Sequence, residues 1–185
     1  MIRQATAKDA EQALALLYSA IGSIAYSLAG TNDHEQAMET LKHFFGSREN
    51  RISYENTIVD DRGGQLAGLL VAYDGSRAER LDEPLLERIR VKPGQAGYTI
   101  VKEAQEGEYY LDSLAVDEAF QGQGVAKALM RAFEAKGKAD GFPRLSLIVE
   151  EENERAYGLY EKMGYREDGL LEVSGSLFRR MIKTI

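Results

Sequence analysis

The 185-residue chain has no cysteine. That excludes disulfides, thiolate metal sites and a cysteine nucleophile, and it fits a reducing compartment. Histidine is nearly absent too. His34 and His43 stand nine apart in a polar stretch, with no carboxylate at ligand spacing, so no metal is expected. There is no run of lysine or arginine, and the formal net charge is −7. A nucleic-acid binder needs a basic footprint, so a nucleic-acid partner is not expected. The apolar runs are far too short to cross a membrane. Met1–Ala5 carries no apolar leader, so the cytoplasm is the expected location. What remains is 44 % hydrophobic and 29 % charged, the balance of an ordinary globular chain. At this length a single domain over 1–185 is expected.

The apolar spacing predicts the elements in turn. Residues 2–5 read as a short strand. Thr6 and Asp9 form a capping box before a helix that turns Ala10, Ala13, Leu14 and Leu17 to one face. Glycines and serines at 22–30 interrupt it, and a second helix begins near 31–33. Ser53–Val59 and Gln65–Tyr73 alternate as strands around a turn at Asp60–Gly64. Residues 74–107 form a long connection in which Leu81–Ile89 could make a short helix; connections of that length are often functional. Glu108–Val116 is a strand, Gly122–Gly141 a loop running into a helix, and Arg144–Val149 a strand. A helix at Asn153–Met163 ends at Gly164, and strands at Tyr165–Glu167 and Leu177–Thr184 close the chain.

The loop between Asp117 and Ala126 joins a strand to a helix through Gly122 and Gly124. A helix start offers unpaired N–H groups and the positive end of the macrodipole, and glycine lets the backbone approach a ligand. Such a loop can hold a phosphate or pyrophosphate, or it can be only a tight turn. Val125 stands where a Walker loop needs lysine, and Lys127 where a dinucleotide fingerprint needs its third glycine.

Gln121-Gly122-Gln123-Gly124-Val125-Ala126 resembles the Gln/Arg-x-x-Gly-x-Gly/Ala motif of the GNAT superfamily of N-acetyltransferases. Leu111–Asp117 looks like that family's fourth strand. Asn153, Ala156, Leu159-Tyr160 and Met163-Gly164-Tyr165 look like its later motif, with Ala126 and Tyr165 as mild variants. The resemblance runs over nearly the whole chain. It implies an α+β (mixed α/β) fold: a mostly antiparallel, twisted sheet of about six or seven strands, splayed between the fourth and fifth, with about four or five flanking helices.

The resemblance also implies a function, acetyl transfer from acetyl-coenzyme A directly to a primary amine of a small molecule or protein. Acetyl-coenzyme A is then the co-substrate, no metal takes part, and no membrane partner is expected; a homodimer is compatible with the fold. The cofactor's pyrophosphate would sit on the loop Gln121, Gly122, Gln123, Gly124, Val125 and Ala126. Its pantetheine would extend along Leu114, Ala115 and Val116, where a backbone N–H could stabilise the oxyanion. Tyr160 matches the tyrosine that protonates the departing sulfur, against a purely packing role. Asn153 would bond the cofactor or simply cap its helix. The amine must lose a proton; an ordinary alkylammonium pKa of about 10.4 puts the neutral form about 4–5 kcal/mol away at neutral pH. Asp112 is the leading base, with Glu108 and Glu150 behind it. Tyr54, Glu55 and the 74–107 insertion are candidate acceptor contacts. The competing reading is a non-catalytic acyl-coenzyme A sensor with the same fold; a nucleotide-binding domain is weaker still.

Overall fold

In the computed structural model, which describes residues 1–185, the stretches of alternating apolar residues pair into one seven-stranded sheet. The strands are β1 (Ile2–Gln4), β2 (Thr57–Arg62), β3 (Gln65–Asp74), β4 (Glu108–Val116), β5 (Arg144–Glu150), β6 (Arg166–Val173) and β7 (Ser176–Thr184). Their order is β1-β2-β3-β4-β5-β7-β6. All neighbours are antiparallel except β4 and β5. A parallel pair needs a crossover, and the helix between those two strands supplies it. The α-helices are α1 (Ala10–Ile21), α2 (Ile24–Ala29), α3 (His34–Gly46), α4 (Ala78–Arg90), α5 (Val125–Ala139) and α6 (Glu154–Lys162).

Period-two alternation divides the core between the two faces of the sheet. Val59, Leu69, Val71 and Ala115 pack with α1, α2 and α3. Ile58, Ala67, Leu70 and Leu111 pack with α5 and α6. A smaller group, Tyr73, Ala78, Leu81, Ala104 and Tyr110, lies under α4. Burying both faces makes β3 almost continuously apolar.

Several elements differ from the sequence reading. There are six α-helices rather than four or five, because α2 forms inside the glycine-serine stretch. The first hairpin is tighter: Asp60–Arg62 stay in β2, and only Gly63 and Gly64 turn, at φ +71° and +94°. Positive φ at both turn residues matches the twist of the flanking strands. Asp61 is held in register by Arg3 and by the Gly64 N–H. The helix foreseen at Leu81–Ile89 is longer and runs through Pro84. The penultimate strand reaches Val173, on a largely exposed edge.

The β4–β5 ladder is short. It runs only from Glu108↔Arg144 to Leu111↔Leu147. The next residue, Asp112, is the extra one in a bulge, since Val71 pairs with Ser113 and Ala72 with Leu111. A bulge bends and twists its strand. Beyond it β4 keeps β3 on one edge and has an open cleft on the other. The closed end of the seam is pinned by Glu108. Its fully buried carboxylate accepts from Arg180 of β7 and from Ser146 Oγ of β5 at 2.8 Å.

Candidate active site

A cavity of about 240 Å³ opens where β4 and β5 part. Asp112, Ser113 and Leu114 form one wall, and Ile148, Val149 and Glu150 the other. Asn153, Ala156 and Tyr160 of α6 close one end. Ile24 and Leu28 of α2 and the segment 98–101 also line the cavity. Most of the lining is apolar, with carboxylates at defined places.

The glycine loop has the geometry of an anion cradle. Gly122 and Gly124 sit at φ +76° and +79°, and a Cβ at either would meet open space. Glycine is required there by backbone conformation rather than by crowding. Gly124 caps α5, and Ala128 is the first residue to donate back into the helix, to Gly124 at 3.0 Å. The N–H groups of Gly122, Gly124, Val125, Ala126 and Lys127 donate to nothing in the protein. Gln123 differs: its N–H reaches Phe120 O at 3.4 Å, and its side chain donates to Ala119 O at 3.0 Å. Gln121 accepts from Arg155 Nη1 of α6 at 3.2 Å, which ties the loop to the helix carrying Tyr160.

Tyr160 is 6 % exposed, and burial pushes its phenol up to about 12. Its hydroxyl makes no hydrogen bond within the protein, although the ring packs against Tyr165. The phenol therefore holds a proton at neutral pH and has an unused donor on the cavity wall. Asn153 Oδ1 accepts from Ala156 N at 3.1 Å, so it does cap α6, while its side chain also lines the cavity.

Asp112 also lines the cavity, but both its oxygens are engaged. Oδ2 accepts from Arg51 Nε at 2.6 Å and Tyr73 Oη at 2.8 Å; Oδ1 accepts from Ser113 Oγ at 2.9 Å. Arg51 extends the group to Glu103 at 3.0 Å and to Asp82 at 3.5 Å. Tyr110 donates to the Glu103 oxygen that Arg51 also uses. Burial pushes Asp82 up to about 6, with Asp112 and Glu103 adding to the shift and Arg51 opposing it.

Leu114, Asp112, Asn153 and Tyr160 thus share one cavity. Ala115 turns its side chain into the opposite core, leaving its backbone on the open edge. Of the other carboxylates, Glu150 lines the cavity and is exposed, whereas Glu108 is locked to Arg180 away from it. Tyr54 and Glu55 lie elsewhere and bind Arg48. Arg51 was missed; Asp82 and Glu103 fall in the 74–107 insertion named as a candidate acceptor contact, but were not singled out. The three lie in separate segments and meet only through the fold.

The chain matches the family model described as the acetyltransferase (GNAT) family over residues 24–165. Among solved structures, one titled an acetyltransferase is 28 % identical, with TM-score 0.82, covering 100 % of this chain and 98 % of that one. An N-acetyltransferase from Staphylococcus aureus Mu50 is 23 % identical, with TM-score 0.82 and coverage of 99 % and 100 %. The PaiA N-acetyltransferase from Thermoplasma acidophilum, solved in complex with coenzyme A, shares the fold at 15 % identity and TM-score 0.60, with coverage of 100 % and 98 %.

Proposed function

The chain belongs to the acetyltransferase (GNAT) family, and on that premise we propose that it transfers an acetyl group from acetyl-coenzyme A directly to a primary amine, with small amines favoured. The observation that carries this reading is Tyr160: a largely buried phenol that keeps its proton and whose hydroxyl has no partner in the protein, on the wall of the splayed cleft.

The loop N–H groups at 122 and 124–127 bind the pyrophosphate, at a helix start that favours an anion. The open edge of β4 at Leu114–Val116 binds the pantetheine amides as an added strand would. The bound thioester supplies the activated acetyl group. The amine attacks its carbonyl carbon, and a β4 backbone N–H stabilises the developing oxyanion. As the carbon–sulfur bond breaks, Tyr160 donates its proton to the sulfur and regains one from solvent. The substrate ammonium loses one proton through water beside Glu150 before it attacks, and its nitrogen loses a second by the same route as the amide forms; Glu150 is exposed on the same wall. In this reading Asp112 is a positioning residue. Three donors already occupy its carboxylate, and what it positions is Arg51.

The cover that Ile24, Leu28 and residues 98–101 place over the cavity favours a small acceptor over a polypeptide. Thiol release from acetyl-coenzyme A, measured across a panel of amines, tests the reading. Release with at least one amine is expected. Coenzyme A binding without release from any amine would leave the sensor reading instead.

A further inference from the structure

The acceptor end of the cavity carries more negative charge than it neutralises. Arg51 is the only cation within ion-pair distance of Asp82, Glu103 and Asp112. Three carboxylates against one guanidinium leave an excess of two negative charges when all are ionised. The four side chains are only 7–9 % exposed. An uncompensated buried charge is unfavourable, so such a group is completed by a proton, a water or a bound cation.

Two oxygens there accept no hydrogen bond, although one of them, Asp82 Oδ1, lies 3.5 Å from Arg51 Nη1. Asp82 Oδ1 is buried with no hydrogen bond and borders a small cavity of about 20 Å³, room for a water. Glu103 lies between that space and the main cavity, lining both. Its Oε2 accepts from both Arg51 and Tyr110, while its Oε1 accepts nothing. Glu103, whose side chain is nine-tenths buried, therefore brings to the wall of the main cavity, beside Ile24, Leu28 and Ile100, a carboxylate with one oxygen still free to accept.

We propose that the acceptor is a small primary amine with a second positive charge, a diamine or a guanidino-amine, and that Glu103 receives that second charge. This narrows the acceptor of the transferase reading above and rests on it. The apolar lining takes the methylene spacer. The reacting amine faces Tyr160 and Leu114, and the distal cation offsets the surplus charge around Arg51. A monoamine of the same length would leave that surplus unmet, which makes the discrimination electrostatic rather than steric.

The test compares diaminobutane with butylamine, which share a chain and differ in the distal ammonium. The expected kcat/KM ratio is about 10- to 100-fold in favour of the diamine, the range of a hydrogen bond to a charged group, and lies mostly in KM. In Glu103→Gln that ratio falls toward one. A ratio near one in the wild type, or a preference that survives in Glu103→Gln, overturns the proposal. Calorimetric titration of diaminobutane onto the coenzyme A-bound protein separates this from the transferase reading. If neither of these two is acetylated while another amine of the panel is, the acceptor assignment falls and the transferase reading stands; if no amine of the panel is acetylated, the transferase reading fails. The acceptor assignment then stands only if diaminobutane still binds and the binding depends on Glu103; otherwise it falls as well. Coenzyme A affinity in the same titrations reports whether the variant is folded. Should Glu103→Gln not fold, Asp82→Asn removes one surplus charge. Its diamine-to-monoamine ratio is expected to drop several-fold, and an unchanged ratio overturns the proposal.

Discussion

Tyr160 keeps its proton because of where it sits. Desolvation disfavours the phenolate, and nothing cationic is near enough to recover it. Tyr160→Phe preserves the ring that packs on Tyr165 and removes only the donor. We expect kcat to fall by about 100-fold, the low end of general acid catalysis, with the dissociation constant of coenzyme A nearly unchanged. Single-turnover rates at saturating cofactor check this; wild-type rates would reduce Tyr160 to packing. The loop is tested by Gly124→Glu. That change puts a side chain at φ +79° and a carboxylate beside the unpaired N–H groups. Coenzyme A binding should be lost, and undiminished affinity would remove the loop from the cofactor site. Both residues stand out in the sequence, Gly124 through backbone freedom at a helix start and Tyr160 through its position in a motif. Arg51 was not legible. An isolated arginine followed by Ile-Ser-Tyr says nothing until the fold places Asp82, Glu103 and Asp112 around it.

At the scale of elements, the site depends on how closely α5 approaches the sheet. Gly68 of β3 makes this approach possible. A Cβ there would stand 2.7 Å from Ala115 O and 2.8 Å from Val125 Cγ1. Gly68→Val would therefore push the first turn of α5, and with it the phosphate loop, away from β4. The expected cost is about 1–3 kcal/mol of stability, as for overpacking generally, together with weaker coenzyme A binding. Urea unfolding and a binding titration read the two effects, and a variant as stable as wild type would argue against tight α5 seating. Elements with a strong apolar face, such as β4, α5 and α6, were legible to within a residue or two. α2 was not, since the six residues Ile24–Ala29 are too few to establish a helical period. β6 was largely missed because its exposed edge needs no apolar alternation. The bulge at Asp112 has no sequence signal of its own. It is defined by β3 across the ladder, yet it lies where the parallel pairing stops.

The whole molecule should show two opposing carboxylate effects in its acid stability. Asp9 is held down at about 2, chiefly by its hydrogen bonds with Arg3. Its contribution is present above about pH 4, the ordinary carboxylate value, and is lost as pH falls toward 2. Asp82 works the other way. Its folded value of about 6 lies above the unfolded one, so the folded state binds the extra proton between those values. Stability should decline as pH rises from about 4 to about 6, by roughly 3 kcal/mol for a shift of this size. Urea midpoints across that range check the prediction. Asp82→Asn should remove the decline, and a variant that tracks the wild type throughout would show that Asp82 does not control it. The same surplus charge would be offset by a cationic acceptor, so stability at neutral pH and acceptor choice draw on one cluster.

The amino-acid sequence by itself determined the order of the elements, the glycine loop at a helix start, the family and the tyrosine at the cleft. Each of these rests on local backbone demands or short-range apolar spacing, which a linear sequence records directly. The tertiary structure alone decided how far the cleft opens, which carboxylates face it and which are already occupied. Those properties come from residues far apart in the chain whose charges and hydrogen bonds have no meaning until packing brings them within a few ångströms. Asp112 shows the difference. As a residue on a strand beside the expected acetyl position it reads as a base; folded at the bulge, it carries Arg51, Tyr73 and Ser113 on its two oxygens.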